Sequence, residues 1–156
     1  MKIRIFIYCL LIFGITALAA EDNFVIDPAR FMLVNGKKGN DGFIIPVKNQ
    51  KNQYSVTLRT GIKPYPGRLL LQGKAEGQIR AVWLMILAQK DGRKVFDKGV
   101  WISSGKLLKE GNIVQFSGVL DLTGVQADRF YFYFQTFNGK ECPVRPISFT
   151  ITKQED

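Results

Sequence analysis

The segment RFYFYFQTF, residues 129–137, alternates more regularly than any other part of the chain. One parity consists of apolar rings: Phe130, Phe132 and Phe134. The other parity combines flat rings with hydrogen-bonding groups: Arg129, Tyr131, Tyr133 and Gln135. Because successive side chains of a strand point to opposite faces, the pattern predicts a strand with one buried face. The polar-aromatic face is then open to a ligand or covered by a neighbouring loop.

Other segments of the chain show β-type patterns as well. We predict strands over 24–26, 31–34, 43–47, 54–60, 68–77, 79–89, 94–96, 100–102, 113–122 and 147–152. In the last of these, Ile147, Phe149 and Ile151 are expected to point inward. Asp91-Gly92 and Asn138-Gly139 are hairpin signals, and the proline-rich residues 60–67 predict a loop. Short strands without a helical period predict an all-β, antiparallel two-sheet β-sandwich (jelly roll).

Three further aromatic residues are placed by their local sequence. Trp83 lies in a segment that is apolar on both parities, so we expect it in the core. Trp101 lies near turn residues and is either a binding platform or a structural residue. Tyr65 lies between two prolines, where a rigid loop either displays the ring to a ligand or uses it as an anchor.

Residues 1–20 have the three parts of a secretory signal peptide. Lys2 and Arg4 give a positive start, residues 5–18 are apolar, and Ala19 and Ala20 end the segment. The apolar run is shorter than the roughly 20 residues of a membrane-spanning helix, although an uncleaved anchor is the alternative. We therefore predict cleavage after Ala19 or Ala20, one domain over 21–156, no membrane span, and a secreted or periplasmic location.

Removal of this segment changes the cysteine count and the charge. Cys9 lies within it, so Cys142 would be the only thiol, which we expect to be a buried or half-buried apolar residue. The rest of the chain has 20 basic and 13 acidic residues, a net charge of +7. The basic residues are scattered, which favours a solvated surface and predicts no nucleic acid partner; an acidic polysaccharide stays open.

The chain contains no histidine. This excludes Ser-His-Asp and Cys-His nucleophile pairs and histidine-ligated zinc. A glycosidase needs only two carboxylates, but no motif pairs two of the acids, so we expect no enzyme activity. Five aspartates near strand ends lack the spacing of a calcium loop, and we interpret them as solvated turn residues without a cofactor: Asp27, Asp41, Asp91, Asp97 and Asp121.

The order of the segments over residues 68–153 carries a family resemblance. RLLLQGKAEG precedes IRAVWLMILAQKDG, a tryptophan-containing segment GVWISSG and the outer strands follow, and RPISFTITK closes the series. This order resembles the galactose-binding-like jelly rolls that occur as carbohydrate-binding modules of secreted polysaccharide-degrading enzymes. The resemblance implies glycan binding through aromatic side chains on a concave face or at loop tips, and often a structural calcium. The final strand lacks the acidic residue that commonly joins that calcium site.

Two hypotheses about function follow. The first is a secreted, non-catalytic protein that binds a polysaccharide or cell-surface glycan, with a secreted or envelope enzyme as a second partner. Its expected ligand contacts are Tyr131, Tyr133, Gln135, Arg129, Trp101 and Tyr65. The alternative is an envelope structural or adaptor protein that binds another protein through the aromatic face or a sheet edge.

Overall fold

Strands make up most of the computed structural model, which describes residues 23–63 and 65–154. The predicted signal peptide lies outside the described residues. Two short 3-10 turns, Pro28–Arg30 and Ser104–Lys106, are the helical elements of this part of the chain. The strands are β1 (Asn23–Ile26), β2 (Met32–Asn35), β3 (Lys37–Lys38), β4 (Ile44–Ile45), β5 (Val47–Lys48), β6 (Tyr54–Ile62), β7 (Arg68–Glu76), β8 (Ile79–Lys90), β9 (Arg93–Ile102), β10 (Leu108–Glu110), β11 (Ile113–Asp121), β12 (Arg129–Asn138) and β13 (Arg145–Gln154).

The strands form two main sheets in which every pairing is antiparallel. One sheet has five strands in the order β1-β13-β7-β11-β10. The other has six, with β2-β6-β12-β8-β9 in line and β5 paired to β6; β3 and β4 form a separate ribbon. This arrangement confirms the predicted antiparallel two-sheet β-sandwich of jelly-roll type. No helix in the described ranges has the length and apolar character needed to cross a membrane.

The core lies between the two sheets and is rich in phenylalanine. The predicted inward face of β12 is confirmed, since Phe132 and Phe134 are fully buried. Phe149 on β13 lies between the sheets, with its ring centroid 4.8 Å from that of Phe134 and 5.8 Å from that of Phe132. Phe116 on β11 stacks on Phe134 at 5.3 Å. These rings join the two sheets through one apolar cluster.

Gly73 on β7 makes room for this cluster. A Cβ atom at Gly73 would lie 2.5 Å from Phe116 Cε2 and 2.8 Å from Phe149 Cδ1, far inside van der Waals contact. The absence of a side chain on β7 therefore allows two rings from its neighbouring strands to meet over the backbone.

Several boundaries predicted from the sequence are wrong. The predicted strand over 43–47 is two short strands, because β4 pairs with β3 in the separate ribbon and β5 pairs with β6 in the six-stranded sheet. The predicted loop over 60–67 begins later, because β6 continues to Ile62, whose side chain is buried and pairs with Phe130. The two short segments 94–96 and 100–102 are parts of one strand, β9, which pairs with β8 along its length. Hydrogen bonding to a long central neighbour sustains both strands through residues with weak β propensity.

Two features near the C-terminus also differ from the prediction, the orientation of Ile147 and the predicted hairpin at Asn138-Gly139. Ile147 is 38% exposed and not inward, because a bulge between Pro146 and Ser148 shifts the register against β7. Asn138-Gly139 does not form a hairpin, since β12 and β13 lie in different sheets. Asn138 is buried at the end of β12, where its Oδ1 accepts a hydrogen bond from Thr136 Oγ1 at 2.9 Å. The Asp91-Gly92 hairpin between β8 and β9 is confirmed, with both residues at positive φ.

Candidate functional site

The outer surface of the six-stranded sheet carries a group of aromatic and polar side chains, which we call the aromatic face. Residues directly opposite each other on antiparallel strands point to the same side of the sheet. The register places Gln135 on β12 opposite Trp83 on β8, and Trp83 opposite Trp101 on β9. The aromatic face consists of Arg59, Trp83, Trp101, Tyr131, Tyr133, Gln135 and Phe137.

Three rings of the aromatic face are in contact across three strands. The ring centroids of Trp83 and Trp101 are 6.1 Å apart, and those of Trp101 and Phe137 are 4.8 Å apart. Ala81, the residue opposite Phe137 on the intervening strand, is small and buried, which lets Trp101 approach Phe137 across β8. Trp101 is nevertheless 46% exposed, so this cluster presents ring surface to solvent.

Gly99 on β9 supports the position of Trp83. A Cβ atom at Gly99 would lie 2.5 Å from Trp83 Nε1 and 2.7 Å from the Leu84 carbonyl oxygen. The indole therefore lies against bare backbone. Any side chain at this position would push the ring away from β9.

The position of Trp83 corrects the prediction that it lies in the core. On β8, Val82, Leu84 and Ile86 have no exposed surface, whereas Trp83 is half-buried on the opposite side. A strand that is apolar on both parities predicts two buried sides. The second side of β8, however, lies on the outer surface of the six-stranded sheet. Strict alternation places Trp83 on the same side of β8 as Met85 and Leu87. This parity is the sequence signal that separates Trp83 from the core residues of the strand.

Arg59 on β6 lies beside the tyrosines of the aromatic face. It is opposite Tyr133, and its guanidinium carbon is 5.3 Å from the centre of the Tyr131 ring. This distance is within the range of a cation–π interaction. Arg59 Nε is buried and has no hydrogen-bond partner among the described residues, while Nη2 lies 4.0 Å from Met32 Sδ.

The aromatic face has little negative charge. Asp97 on β9 is the only acidic residue in the described strands of the six-stranded sheet, and it forms an ion pair with Lys94. Arg59 lies on β6, three strands from β9, a separation of roughly 14 Å at the usual strand spacing. The guanidinium therefore has no carboxylate neighbour on this sheet.

The structure brings most of the sequence-predicted site residues together. Tyr131, Tyr133 and Gln135 are half-buried on the aromatic face, and Trp101 lies two strands away on the same side. Arg129 begins β12 with the same parity and is exposed. Arg59, Trp83 and Phe137 also lie on this face and are not among the contacts predicted from the sequence.

Tyr65 is separate from the aromatic face. Its ring packs 6.3 Å from that of Phe24, on edge strand β1 of the other sheet, and it contacts the core cluster. Of the two roles left open for this residue, the packing corresponds to a loop anchor.

The five-stranded sheet has a different outer surface. A depression of about 470 Å³ there is lined mostly by polar side chains, including Gln72, Lys74, Gln115, Ser117 and Thr150. Among the described residues that line it, Phe116 is the only aromatic one, and its side chain is buried. This surface offers hydrogen bonds without an exposed ring for stacking.

Within 23–63 and 65–154, no three Asp, Glu or Cys side chains are grouped as a metal site would require. Asp121 is a turn residue, and its Oδ1 accepts a hydrogen bond from the Thr123 backbone N–H at 2.8 Å. Hydrogen bonds from the Thr123 side chain and backbone lower the pKa of this carboxyl below its ordinary value. Cys142 is half-buried and unpaired with another cysteine, with Sγ 3.3 Å from Gln78 Oε1.

The sequence matches no protein-family model and no curated protein. In structure, the chain is similar to a chain of infectious bursal disease virus Gt strain, with 16% identity and a TM-score of 0.50 over 87% of this chain and 34% of that one. It spans about a third of the viral chain. The xylan-binding module CBM15 gives 12% identity and a TM-score of 0.48, with 87% and 99% covered. TmCBM61 in complex with β-1,4-galactotriose gives 8% and 0.44, with 85% and 89% covered. The jelly-roll fold expected from the family resemblance is confirmed.

Proposed function

We propose that this chain is an exported, non-catalytic glycan-binding protein that holds a polysaccharide or cell-surface glycan on its aromatic face. The observation that carries the proposal is the ring cluster of Trp83, Trp101 and Phe137, which lies on an outer sheet surface with Trp101 46% exposed. A sugar ring has an apolar C–H face that packs against such rings and hydroxyl groups that need hydrogen bonds.

The spacing of the outward side chains on β12 suits an extended ligand. Outward residues along a strand are roughly 6.7 Å apart, so the four positions from Tyr131 to Phe137 cover roughly 20 Å. Rings and hydrogen-bonding groups lie side by side along this line, with Gln135 between Tyr133 and Phe137. A chain of sugar units requires this combination of stacking surface and polar groups.

The chemistry of the face supports a non-catalytic role. Glycoside hydrolysis uses two carboxylates on either side of the scissile bond, roughly 5–10 Å apart. The described strands of this sheet contain one carboxylate, Asp97, which is paired with Lys94. We therefore expect the glycan to be bound without turnover, and a secreted or envelope enzyme that acts on it would be the second partner.

Export is part of the same proposal and has its own test. Expression of the full chain in a bacterial host, followed by N-terminal sequencing of the exported protein, should give a sequence that starts after Ala19 or Ala20. Retention of residues 1–20 on the exported protein would contradict cleavage.

Glycan binding is testable by tryptophan fluorescence, because both tryptophans of the chain lie on the aromatic face. A glycan array identifies ligands, with xylan and β-1,4-galactotriose, the ligands named for two structural neighbours, as first titration probes. Binding should shift the emission to shorter wavelength, because a bound sugar removes water from Trp101. Trp101→Ala should weaken binding by roughly 2 kcal/mol, about 30-fold, as for other central aromatic contacts.

The matched control is Leu108→Ala, which removes an apolar side chain that is 70% exposed at the depression of the five-stranded sheet. This variant should bind as the wild type does. Loss of binding in Leu108→Ala together with normal binding in Trp101→Ala would place the ligand on the other sheet and refute the proposal. Stoichiometric capture of a protein through the aromatic face, with no response on the array, would favour the adaptor alternative.

A further inference from the structure

The guanidinium of Arg59 has few hydrogen-bond acceptors among the described residues of the protein. Its Nε is buried without a partner, and its Nη2 faces the thioether of Met32 at 4.0 Å. A guanidinium carries five N–H donors, and a buried donor without an acceptor is unfavourable. The only acid in the described strands of its sheet, Asp97, is three strands away and paired.

The space next to Arg59 is open. Gly61 on β6 lies opposite Tyr131, and a Cβ atom at Gly61 would meet nothing within 4 Å. Arg129 lies two residues before Tyr131 on the same side of β12 and is exposed. The open position therefore lies opposite Tyr131 in the register and two residues from Arg59 on the same strand, and Arg129 starts the neighbouring strand on the same side. Met32, whose Sδ lies 4.0 Å from Arg59 Nη2, is 60% exposed, and methionine is an unbranched, flexible side chain.

We propose that the ligand of the aromatic face is an acidic glycan, whose carboxylate or sulfate group occupies the space over Gly61 and accepts hydrogen bonds from Arg59. This inference rests on the proposed function and specifies its ligand class. Arginine binds carboxylate and sulfate oxygens through paired, charge-assisted N–H donors, which a neutral hydroxyl group does not match. Arg129 contributes a second positive charge at the same end of the face.

The test compares each acidic polymer with a neutral counterpart. Polygalacturonate is compared with its methyl ester, and dextran sulfate with dextran, by tryptophan fluorescence titration in 0.15 M salt. At this ionic strength interactions between exposed charges more than about 8 Å apart are largely screened, which reduces the contribution of the domain's general positive charge. The first pair tests a carboxylate and the second a sulfate. We expect the wild type to prefer the acidic member of at least one pair.

Arg59→Gln should then weaken binding of that acidic polymer by roughly 10- to 100-fold, the range for hydrogen bonds to charged groups. Lys74→Gln is the matched control, because it removes the same charge from the outer surface of the other sheet. Equal losses in the two variants, or wild-type binding that favours neither acidic polymer, would overturn the inference. If Trp101→Ala still weakens neutral glycan binding, only this inference fails; if no glycan binds at all, the proposed function fails with it.

Discussion

Replacement of Gly99 by alanine tests the geometry of the aromatic face most directly. The new Cβ would lie 2.5 Å from Trp83 Nε1 and 2.6 Å from Trp83 Cε2. It would also lie 2.7 Å from the Leu84 carbonyl oxygen, a backbone atom that cannot rotate away. The half-buried indole must therefore leave its position, and β8 and β9 must separate locally.

The expected cost follows from these contacts. Overpacking a well-filled site costs about 1–3 kcal/mol, and a glycine-to-alanine change within a strand recovers about 0.5–1 kcal/mol of backbone entropy. We expect a net loss of about 1–2 kcal/mol in the free energy of unfolding. For a domain of this size, at roughly 2–4 °C per kcal/mol, that loss lowers the melting temperature by roughly 2–8 °C.

The assay combines thermal unfolding with tryptophan emission. The chain's two tryptophans contact each other, so displacement of Trp83 from its half-buried position would expose ring surface to water. The emission should therefore move to longer wavelength before any unfolding. The displacement should also weaken glycan binding. For the melting temperature and the emission, Gly61→Ala is the control, since it makes the same change in a strand of the same sheet where no described atom lies within 4 Å. It should be neutral or slightly stabilising.

An unchanged melting temperature and an unchanged emission spectrum for Gly99→Ala would refute this reasoning. They would mean that the Trp83 ring does not lie against the backbone of β9. Equal destabilisation by Gly61→Ala would refute it as well, because the effect would then come from the backbone of any strand glycine and not from the contact with the indole.

Three further predictions concern stability and are each measurable by urea unfolding. Gly73→Ala should cost about 1–3 kcal/mol, because its Cβ would clash with Phe116 and Phe149, and a neutral result would mean a loosely filled core. Asn138→Ala should cost about 1–3 kcal/mol by leaving buried groups such as Thr136 Oγ1 unbonded, and a loss no larger than that of an exposed substitution would contradict this role. Asp121→Asn should be less stable than the wild type above the ordinary aspartate pKa. Since the pKa of Asp121 is lowered in the folded protein, the difference in the free energy of unfolding should disappear as the pH falls through that lower value. A difference that persists in strong acid would show that ionisation of Asp121 is not its cause.

The sequence predicted the fold well wherever a strand alternates without interruption. In β12 the parity alone separates Phe132 and Phe134, which are buried, from Tyr131 and Tyr133, which are on the aromatic face. Alternation fails at a bulge, because one extra residue inverts the phase, and Ile147 at the bulge of β13 is the example. Composition alone does not locate such a bulge.

The candidate site was predicted only in part, because it depends on register. Parity identifies which side of a strand a residue occupies, but not which residue of another strand it meets. Arg59 contacts Tyr131 only because β6 pairs with β12 in the register that puts Arg59 opposite Tyr133. Trp101 reaches Phe137 only because β8, with the small Ala81, lies between β9 and β12. Both relations follow from the sheet order, which joins segments that are distant in the chain.

A comparison of the two outer surfaces of the sandwich supports the proposal that the aromatic face binds a ligand. The five-stranded sheet exposes polar side chains such as Gln72 and Lys74, and its exposed large apolar residues are aliphatic, such as Leu108 and Val119. The fold is therefore compatible with an outer surface without exposed aromatic rings. Exposed apolar rings on the other sheet are unfavourable in water and promote association. Their removal would leave the inward face of β12 and the phenylalanine core unchanged, because opposite parities separate the two sets of residues. Core packing therefore does not account for Trp101, Phe137 and the Arg59 Nε that has no partner among the described residues, whereas the proposed contact with a glycan that carries both an apolar ring face and an anionic group would account for all three.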